Sequence, residues 1–274
     1  MGPVLVLGNG AKRGVRRAVD ETLGTLQREF GVAAVDLDGT LDLKGVDAQW
    51  VIVFGGDGAI LNASRRMGDN PLPTLAVNFG RLGFLTEVEY RQLGDALERV
   101  KSGRVQFRER MRLTASVGDW RCHSLNDVVV SALIPGRLFR VSAKIERREA
   151  ISYAGDGVVI ATPTGSTAYS LAAGGPILDP EIEATVITPL CAHTLSQRPL
   201  VIPAHNVIEV YCKRGDPAAG LTVDGQLRRE LHHPDVLHIG KAERPFRLIR
   251  VGMRSYYSRL RRILGWGGGP RYLK

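Results

Sequence analysis

The chain has 274 residues, with 37 Lys and Arg against 28 Asp and Glu, for a formal net charge of +9. At 44% hydrophobic and 24% charged it lies in the ordinary globular range, which excludes a disordered or collagen-like polymer and allows one large domain or two modest ones. The charge is local: residues 244–274 hold nine basic side chains and no acid, so residues 1–243 carry 28 of each sign.

In chain order, Pro3 to Gly8 reads as a buried strand, and Val15, Ala18, Val19, Thr22, Leu23, Leu26 and Phe30 follow the stripe of an amphipathic helix. Val32 to Leu37, Trp50 to Phe54 and Thr74 to Asn78 are further apolar runs, and Leu93, Ala96, Leu97 and Val100 mark another helix. Strands alternating with helices predict parallel pairing under a helical cover. Beyond about Arg104 the texture becomes short alternating segments, Arg112 to Val117, Asp127 to Ser131, Leu138 to Ile145 and Val207 to Tyr211, which predicts a mostly β region. One stretch rich in small and hydroxylated residues, Thr162 to Ala173, interrupts it and could start a helix.

The uncharged run Gly157 to Leu178 is long enough to cross a bilayer, but Pro163, Pro176 and four glycines argue against a span. Val4 to Leu7 is too short for a signal peptide, so the expectation is a soluble, cytoplasmic protein. Cys122, Cys191 and Cys212 suit neither a disulfide framework nor a zinc site. His232, His233 and His238 are expected at the surface, and no metal-ligating spacing, catalytic triad or P-loop is present in the sequence.

Four constellations bear on chemistry. Val51 to Phe54 runs directly into Gly55-Gly56-Asp57-Gly58 and then into helical spacing, where an α/β sheet offers its ligand crevice. Exposed N–H groups at a helix start favour phosphate, and a carboxylate among them can orient a hydroxyl or Mg2+; an ordinary turn with a capping Asp fits equally well. Gly155-Asp156-Gly157 precedes an apolar strand that ends in Thr162-Pro163-Thr164-Gly165-Ser166-Thr167, read as a polar-ligand platform at a helix N-terminus, against the plainer reading of Ser166 or Thr167 as an N-cap. Asn126-Asp127 could hydrogen-bond ribose hydroxyls, the amide donating and accepting and the acid only accepting, although an Asx turn is the better reading of the pair alone. Asn78 to Leu85 falls beside Asp57 if the two preceding strands are neighbours.

These segments, in this order, together with Thr188 to Leu200 and Val223-Asp224-Gly225-Gln226, resemble the NAD kinase family. The resemblance implies an α/β N-terminal domain with a Rossmann-like parallel sheet, a mostly β, sandwich-like C-terminal domain, and a terminal helix that returns to the first domain. The expected boundaries are residues 1–105, 106–243 and 244–274. It implies transfer of the terminal phosphoryl group of ATP, or of polyphosphate in some members, to the 2′-hydroxyl of the adenosine ribose of NAD, with Mg2+, in a homodimer or homotetramer. Mapped onto this chain, Asp57 orients and deprotonates that hydroxyl, and Gly55, Gly56 and Gly58 shape the phosphate and metal cradle. Asn126, Asp127, Asp156 and the run Thr167, Ala168, Tyr169, Ser170, Leu171 and Ala172 line the dinucleotide; Cys191 and Gln226 hold further lining positions, and Arg140 falls near another. The family usually has Glu where Asp127 stands, and many members carry a larger polar residue at Ala154, a position that bears on the choice between NAD and NADH, so acceptance of NADH is expected.

Lipid and sugar-phosphate kinases also use Gly-Gly-Asp-Gly, but Thr162 to Pro176 and His193 to Pro199 argue against them. The basic tail superficially suits nucleic acid. Tyr256, Leu260, Ile263 and Leu264 fall on one helical face, however, which predicts a packed helix with an arginine outer face and no nucleic-acid partner.

Overall fold

The structure, a computed structural model, describes residues 1–79, 83–134, 139–194, 196–252 and 255–267. The chain opens with β1 (Val4–Gly8), α1 (Val15–Glu29), β2 (Val32–Asp36), β3 (Trp50–Phe54), α2 (Asp57–Arg66), β4 (Thr74–Asn78), β5 (Val88–Glu89), α3 (Leu93–Lys101) and β6 (Gln106–Arg110). It continues with β7 (Leu113–Val117), β8 (Trp120–Ser124), β9 (Asp127–Ala132), β10 (Phe139–Ile145), β11 (Arg148–Gly155), β12 (Gly157–Ala161) and α4 (Tyr169–Ala172). Then come β13 (Ala184–Leu190), β14 (Leu200–Pro203), β15 (Ile208–Tyr211), β16 (Ala219–Val223), β17 (Leu227–Leu231), β18 (Val236–Lys241), β19 (Phe246–Arg250) and α5 (Tyr256–Leu264).

Two compact units result. The first comprises Met1–Met67, Leu72–Arg108 and the chain from Arg247; the second comprises Gly68–Pro71 and Glu109–Phe246. In the first, one sheet runs β2-β1-β3-β4-β19-β6, with β5 also on β4. β1 pairs in parallel with β2 and β3, and β4 pairs in parallel with β3, β5 and β19. Every side chain of β3 and β4 is buried, as strands covered on both faces require. The apolar stripe of α1 (Val15, Ala18, Val19, Leu26) meets Val4, Val6 and Ile52 of the sheet in one cluster, as its periodicity predicts. Trp50 is fully buried, edge-on to Phe30 at 5.1 Å, with its indole N–H donating to the Gly2 carbonyl at 3.0 Å.

The second unit has two six-stranded sheets, β11-β10-β15-β18-β7-β8 and β14-β13-β12-β9-β16-β17, paired antiparallel. Leu113, Val141 and Ile239 from one and Val128, Ile160 and Leu221 from the other share a core, which makes the unit a sandwich. The period of two sends alternate residues outward: Val129, Val159 and Val186 face away from that core and are covered by Ala173 and Leu178 from the loop after β12. The predicted α/β and mostly β halves are therefore present.

The chain's last described segment belongs to the first unit, as predicted: β19 joins its sheet, and α5 carries Arg259, which donates to the Phe84 carbonyl at 2.6 Å and pairs with Glu87 at 2.8 Å. The arginine outer face needs correction. Arg259 is buried with Leu260, while Leu264 is exposed, because a buried carboxylate on a neighbouring loop outweighs the local pattern. Arg261 and Arg262 remain exposed. Leu138, Gly80 to Leu82, Arg254, Arg271 and Lys274 of the sequence reading lie outside the described residues. Among the described residues no helix is long and apolar enough to cross a membrane.

Candidate functional site

In the first unit, β3 ends at Phe54 and α2 starts at Asp57, so the Gly-Gly-Asp-Gly loop is a strand-to-helix turn at the carboxyl end of a central parallel strand. The Gly55 N–H donates to the Val77 carbonyl of β4 at 2.9 Å, and the Gly56 carbonyl accepts from Ala59 at 2.9 Å. Gly56 is extended with open space above it and Gly58 is exposed, so a ligand can approach the backbone closely at the start of α2.

Asp57 is not a cap. The N-cap is Gly56, with no side-chain bond, and the Asp57 carboxylate reaches the loop after β4 instead. Its Oδ2 accepts from the Phe84 N–H at 2.8 Å and its Oδ1 from the Leu85 N–H at 3.1 Å. This excludes the capped-turn reading and joins Asp57 to the loop expected beside it. Gly83 is obligatory: a Cβ there would lie 2.1 Å from Asp57 Oδ1. Each carboxylate oxygen has two lone pairs, so each keeps one acceptor site after these bonds. Among the described residues no group of three or more His, Cys, Asp or Glu forms a metal cage. A lone carboxylate suits Mg2+, which uses one or two protein carboxylates and completes its shell with phosphate oxygens and water.

In the second unit, the site residues gather at the two ends of the β13-β12-β9-β16 strands. Where β9 starts and β12 and β16 end, Ala161 lies opposite Asp127 and Val223 opposite Val128. Here Asn126, Asp127, the Thr162 to Ala172 segment and the exposed Gln226 come together. The organiser is Asp224, which the sequence reading placed in a motif but not in the site. Its Oδ1 accepts from Ser124 Oγ at 2.6 Å, Asn126 N at 2.8 Å and Asp127 N at 3.2 Å, and its Oδ2 from Leu125 N at 3.0 Å. The turn expected from Asn126 and Asp127 themselves is thus built by a carboxylate from a distant strand end. Thr162 Oγ1 donates to the Leu125 carbonyl at 2.6 Å and accepts from Gly165 N at 3.0 Å, which docks the next loop on the same turn. Gly165 permits it, since a Cβ would lie 2.1 Å from the Asn126 carbonyl oxygen.

Asp127 is buried, and its carboxyl is pushed up to about 7 by that burial first and by the Asp224 charge second. Asp224 is also raised by burial, against the lowering by Ser124 and three backbone amides. The two titrate as a pair. With its carboxyl pushed up to about 7, Asp127 holds its proton part of the time near neutral pH and can then donate as well as accept.

The N-cap reading of Ser166 or Thr167 needs correction. The segment forms a 3-10 turn, Gly165–Thr167, and one turn of helix, Tyr169–Ala172, because Gly174 in the left-handed region and Pro176 end it early. Neither Ser166 nor Thr167 caps it. Ser166 is buried, donating to the Pro163 carbonyl at 2.6 Å and accepting from Leu178 N at 3.0 Å, and Thr167 Oγ1 donates to Thr164 O at 3.2 Å. Ser170 is buried on Thr188 at 2.8 Å, while Tyr169 and Ala172 are exposed and Ala168 and Leu171 half-buried.

The other sites lie at the opposite end of β12. Asp156 precedes Gly157, its N–H on the Leu190 carbonyl at 2.9 Å, and the next residue, Cys191, sits in the left-handed region with φ 45°. The Cys191 thiol is pushed up by its hydrogen bond to Asp156 and by that residue's charge. Ala154 accepts from His193 N at 2.8 Å and is the direct cross-strand partner of the exposed Arg140. Asp156, Cys191, Ala154 and Arg140 therefore form a second group, separated from Asn126 and Asp127 by the five residues of β12, about 17 Å at ~3.3 Å per residue.

A family model described as the ATP-NAD kinase N-terminal domain matches residues 7–105, and one described as the ATP-NAD kinase C-terminal domain matches residues 125–251. A relative named NAD kinase from Geobacter sp. (strain M21) is 40% identical over 263 residues, covering 94% of this chain and 90% of that protein. Another, from Koribacter versatilis, is 42% identical over 230 residues, covering 82% and 80%. Among solved structures, yeast NADH kinase complexed with NADH matches with a TM-score of 0.88 at 24% identity, over 100% of this chain and 90% of that one. An NAD kinase from Archaeoglobus fulgidus in complex with ATP matches with a TM-score of 0.76 at 23% identity, over 96% and 97%. At these identities the two structures bear on fold alone.

Proposed function

The chain belongs to the NAD kinase family, and from that premise we propose that it transfers the terminal phosphoryl group of ATP to the 2′-hydroxyl of the adenosine ribose of NAD, giving NADP and ADP. The observation that carries this reading is Asp57, held by two backbone N–H groups at the start of a helix whose glycines admit phosphate.

In the proposed step the 2′-oxygen forms a bond to the γ-phosphorus as the bond to the bridging oxygen breaks, and the hydroxyl proton passes to Asp57. A carboxylate is a weak base for an alcohol, so it takes the proton late, as the oxygen loses electron density to phosphorus. Phosphoryl transfer through a loose transition state asks mainly for positioning and charge stabilisation. The Phe84 and Leu85 amides fix the carboxylate, and the N–H groups of the first turn of α2 face the phosphates. When bound, Mg2+ neutralises charge on the phosphates; Asp57 is the carboxylate of this loop with a free acceptor site to hold it. Inorganic polyphosphate is an alternative donor to the same cradle.

The second unit is proposed to bind the dinucleotide. Asn126 and Asp127 take ribose hydroxyls from a turn fixed by Asp224, and Thr167 to Ala172 and Gln226 line the same end. Asp156, Ala154, Cys191 and Arg140 act at the other end, and Ala154 leaves room for NADH as acceptor. Because about 17 Å of buried strand separates the groups, we propose a homo-oligomer, dimer or tetramer, in which one dinucleotide meets the first group of one copy and the second of another. Three free thiols suit the reducing cytoplasm.

The test is to incubate the purified, folded chain with ATP, Mg2+ and either NAD or NADH, and to assay NADP or NADPH with a dehydrogenase specific for the phosphorylated cofactor. Product from NAD is expected; none from a folded protein would overturn the reading. No product from NADH would remove only the role given to Ala154.

A further inference from the structure

Arg259, in the middle of α5, is 6% exposed, a burial that arginine rarely shows unless it is paired. Its Nη2 lies 2.8 Å from Glu87 Oε1, and its Nη1 donates to the Phe84 carbonyl at 2.6 Å. α5 meets Phe84 a second time through Tyr256, one turn earlier on the same helix face, whose ring lies 6.3 Å from the Phe84 ring. Arg259, Tyr256, Glu87, Phe84 and Asp57 all belong to the first unit.

Stability alone is a poor reason for this arrangement, because desolvating two buried charges cancels much of their attraction. The buried Arg259 Nε, moreover, has no hydrogen-bond partner among the described residues. What the guanidinium secures is direction. The peptide that joins Phe84 to Leu85 is trans, so its C=O and N–H point to opposite edges. Arg259 holds the C=O edge, and the N–H edge donates to Asp57 Oδ1 at 3.1 Å. The order is cation, peptide dipole, carboxylate, and a charge-assisted bond on the carbonyl strengthens the N–H as a donor. Turned over, the peptide would set its carbonyl oxygen against the Asp57 carboxylate.

We propose that Arg259 is a positioning residue for the phosphoryl transfer, locking the peptide between Phe84 and Leu85 with its N–H on Asp57. This role rests on the reading of Asp57 as the base for the 2′-hydroxyl. Arg259 acts through the peptide and not on the substrate: it fixes the donor that fixes the carboxylate. The last helix of the chain thereby sets the geometry of the catalytic loop.

The test pairs steady-state kinetics of NADP formation with hydrogen exchange at the Leu85 amide, in full-length wild type, Arg259→Met and Arg259→Lys. Methionine keeps the packing of the stem, and Glu87 keeps Arg250 at 3.9 Å. Arg259→Met is expected to lower kcat by about ten-fold with the KM for ATP and for NAD within about two-fold, the pattern of an interaction made in the transition state. Its Leu85 amide is expected to exchange at least about ten-fold faster than in wild type. Arg259→Lys, which returns a charge and a donor, is expected to recover kcat to within about three-fold of wild type. In the Asp57→Asn background the methionine change is expected to alter kcat by less than about two-fold, because residues that act as one unit do not add. An unchanged kcat in folded Arg259→Met, a KM that rises in its place, or an equal loss in the Asp57→Asn background would overturn the positioning role. So would Leu85 protection equal to that of wild type. If Arg259→Met does not fold, Arg259→Met/Glu87→Gln removes the stranded carboxylate and carries the same comparison. If wild type makes no NADP, the reading of the reaction falls by itself, and exchange at Leu85 still upholds or overturns the lock.

Discussion

Two aspartates in two loops are held in opposite ways. Asp57 stands half-buried at the start of a helix and receives backbone N–H groups from the next loop on both oxygens. Asp127 stands buried at the start of a strand, close enough to the Asp224 charge that its carboxyl is pushed up to about 7. The first arrangement fixes an anion where a proton can be taken; the second keeps a carboxyl near the balance between donor and acceptor. The same side chain serves as base or as binding group according to what surrounds it.

The largest expected effect comes from taking the charge out of the first loop. Asp57→Asn is expected to lower kcat by about 10²–10⁴-fold, the usual contribution of a positioned acid or base, while the far-UV spectrum is unchanged. The variant also presents an NH2 where one amide donor now points, so Gly83→Ala separates position from charge. It keeps the carboxylate but its Cβ displaces Asp57, and kcat is expected to fall by about 10–100-fold with the KM for NAD unchanged. If Gly83→Ala were as active as wild type, the Phe84 and Leu85 anchors would be irrelevant to catalysis.

Asp224→Ala attacks the other loop. It strands three backbone amides and leaves the Ser124 hydroxyl only the Asp127 carbonyl, and is expected to cost about 2–4 kcal/mol in urea unfolding and to raise the KM for NAD. The comparable Asp127→Asn change is expected to act on pH dependence. Because the folded carboxyl is raised from 3.8 to about 7, the folded state binds the proton more tightly in that window, and this group's stability contribution is lost as pH rises from about 4 to about 7. The variant is expected to lack that decline, gaining roughly 1–3 kcal/mol over wild type at pH 8. A parallel decline in both proteins would assign it elsewhere. The smallest effect is at Cys191→Ser, where a hydroxyl can still donate to Asp156; the KM for NAD is expected to move by less than about three-fold.

How much of this was legible in the sequence follows from how local each feature is. The strands and helices of the first unit follow from periodicity, because β3 and β4 are apolar runs and α1 carries its stripe within fifteen residues. The motifs marked both loops for the same reason. Asp224 escaped the site because its partners lie nearly a hundred positions earlier, and only the pairing of β16 with β9 brings them together. Arg259 escaped because its burial depends on Glu87, a carboxylate from another loop. The sequence showed that the Thr162 to Ala173 stretch could start a helix, and Gly174 and Pro176 explain why α4 is only one turn long. The separation of Asp156 from Asn126 needed the register of β12, since the two lie in similar Asp-containing turns and nothing local says that they open at opposite ends of a sheet.

The direct measurement of the transfer is to supply γ-labelled ATP with NAD and Mg2+ to the wild-type chain and follow the label. Label is expected in the 2′-phosphate of NADP, in step with the ADP formed. Label recovered as free phosphate, or retained in ATP by a folded protein, would contradict it.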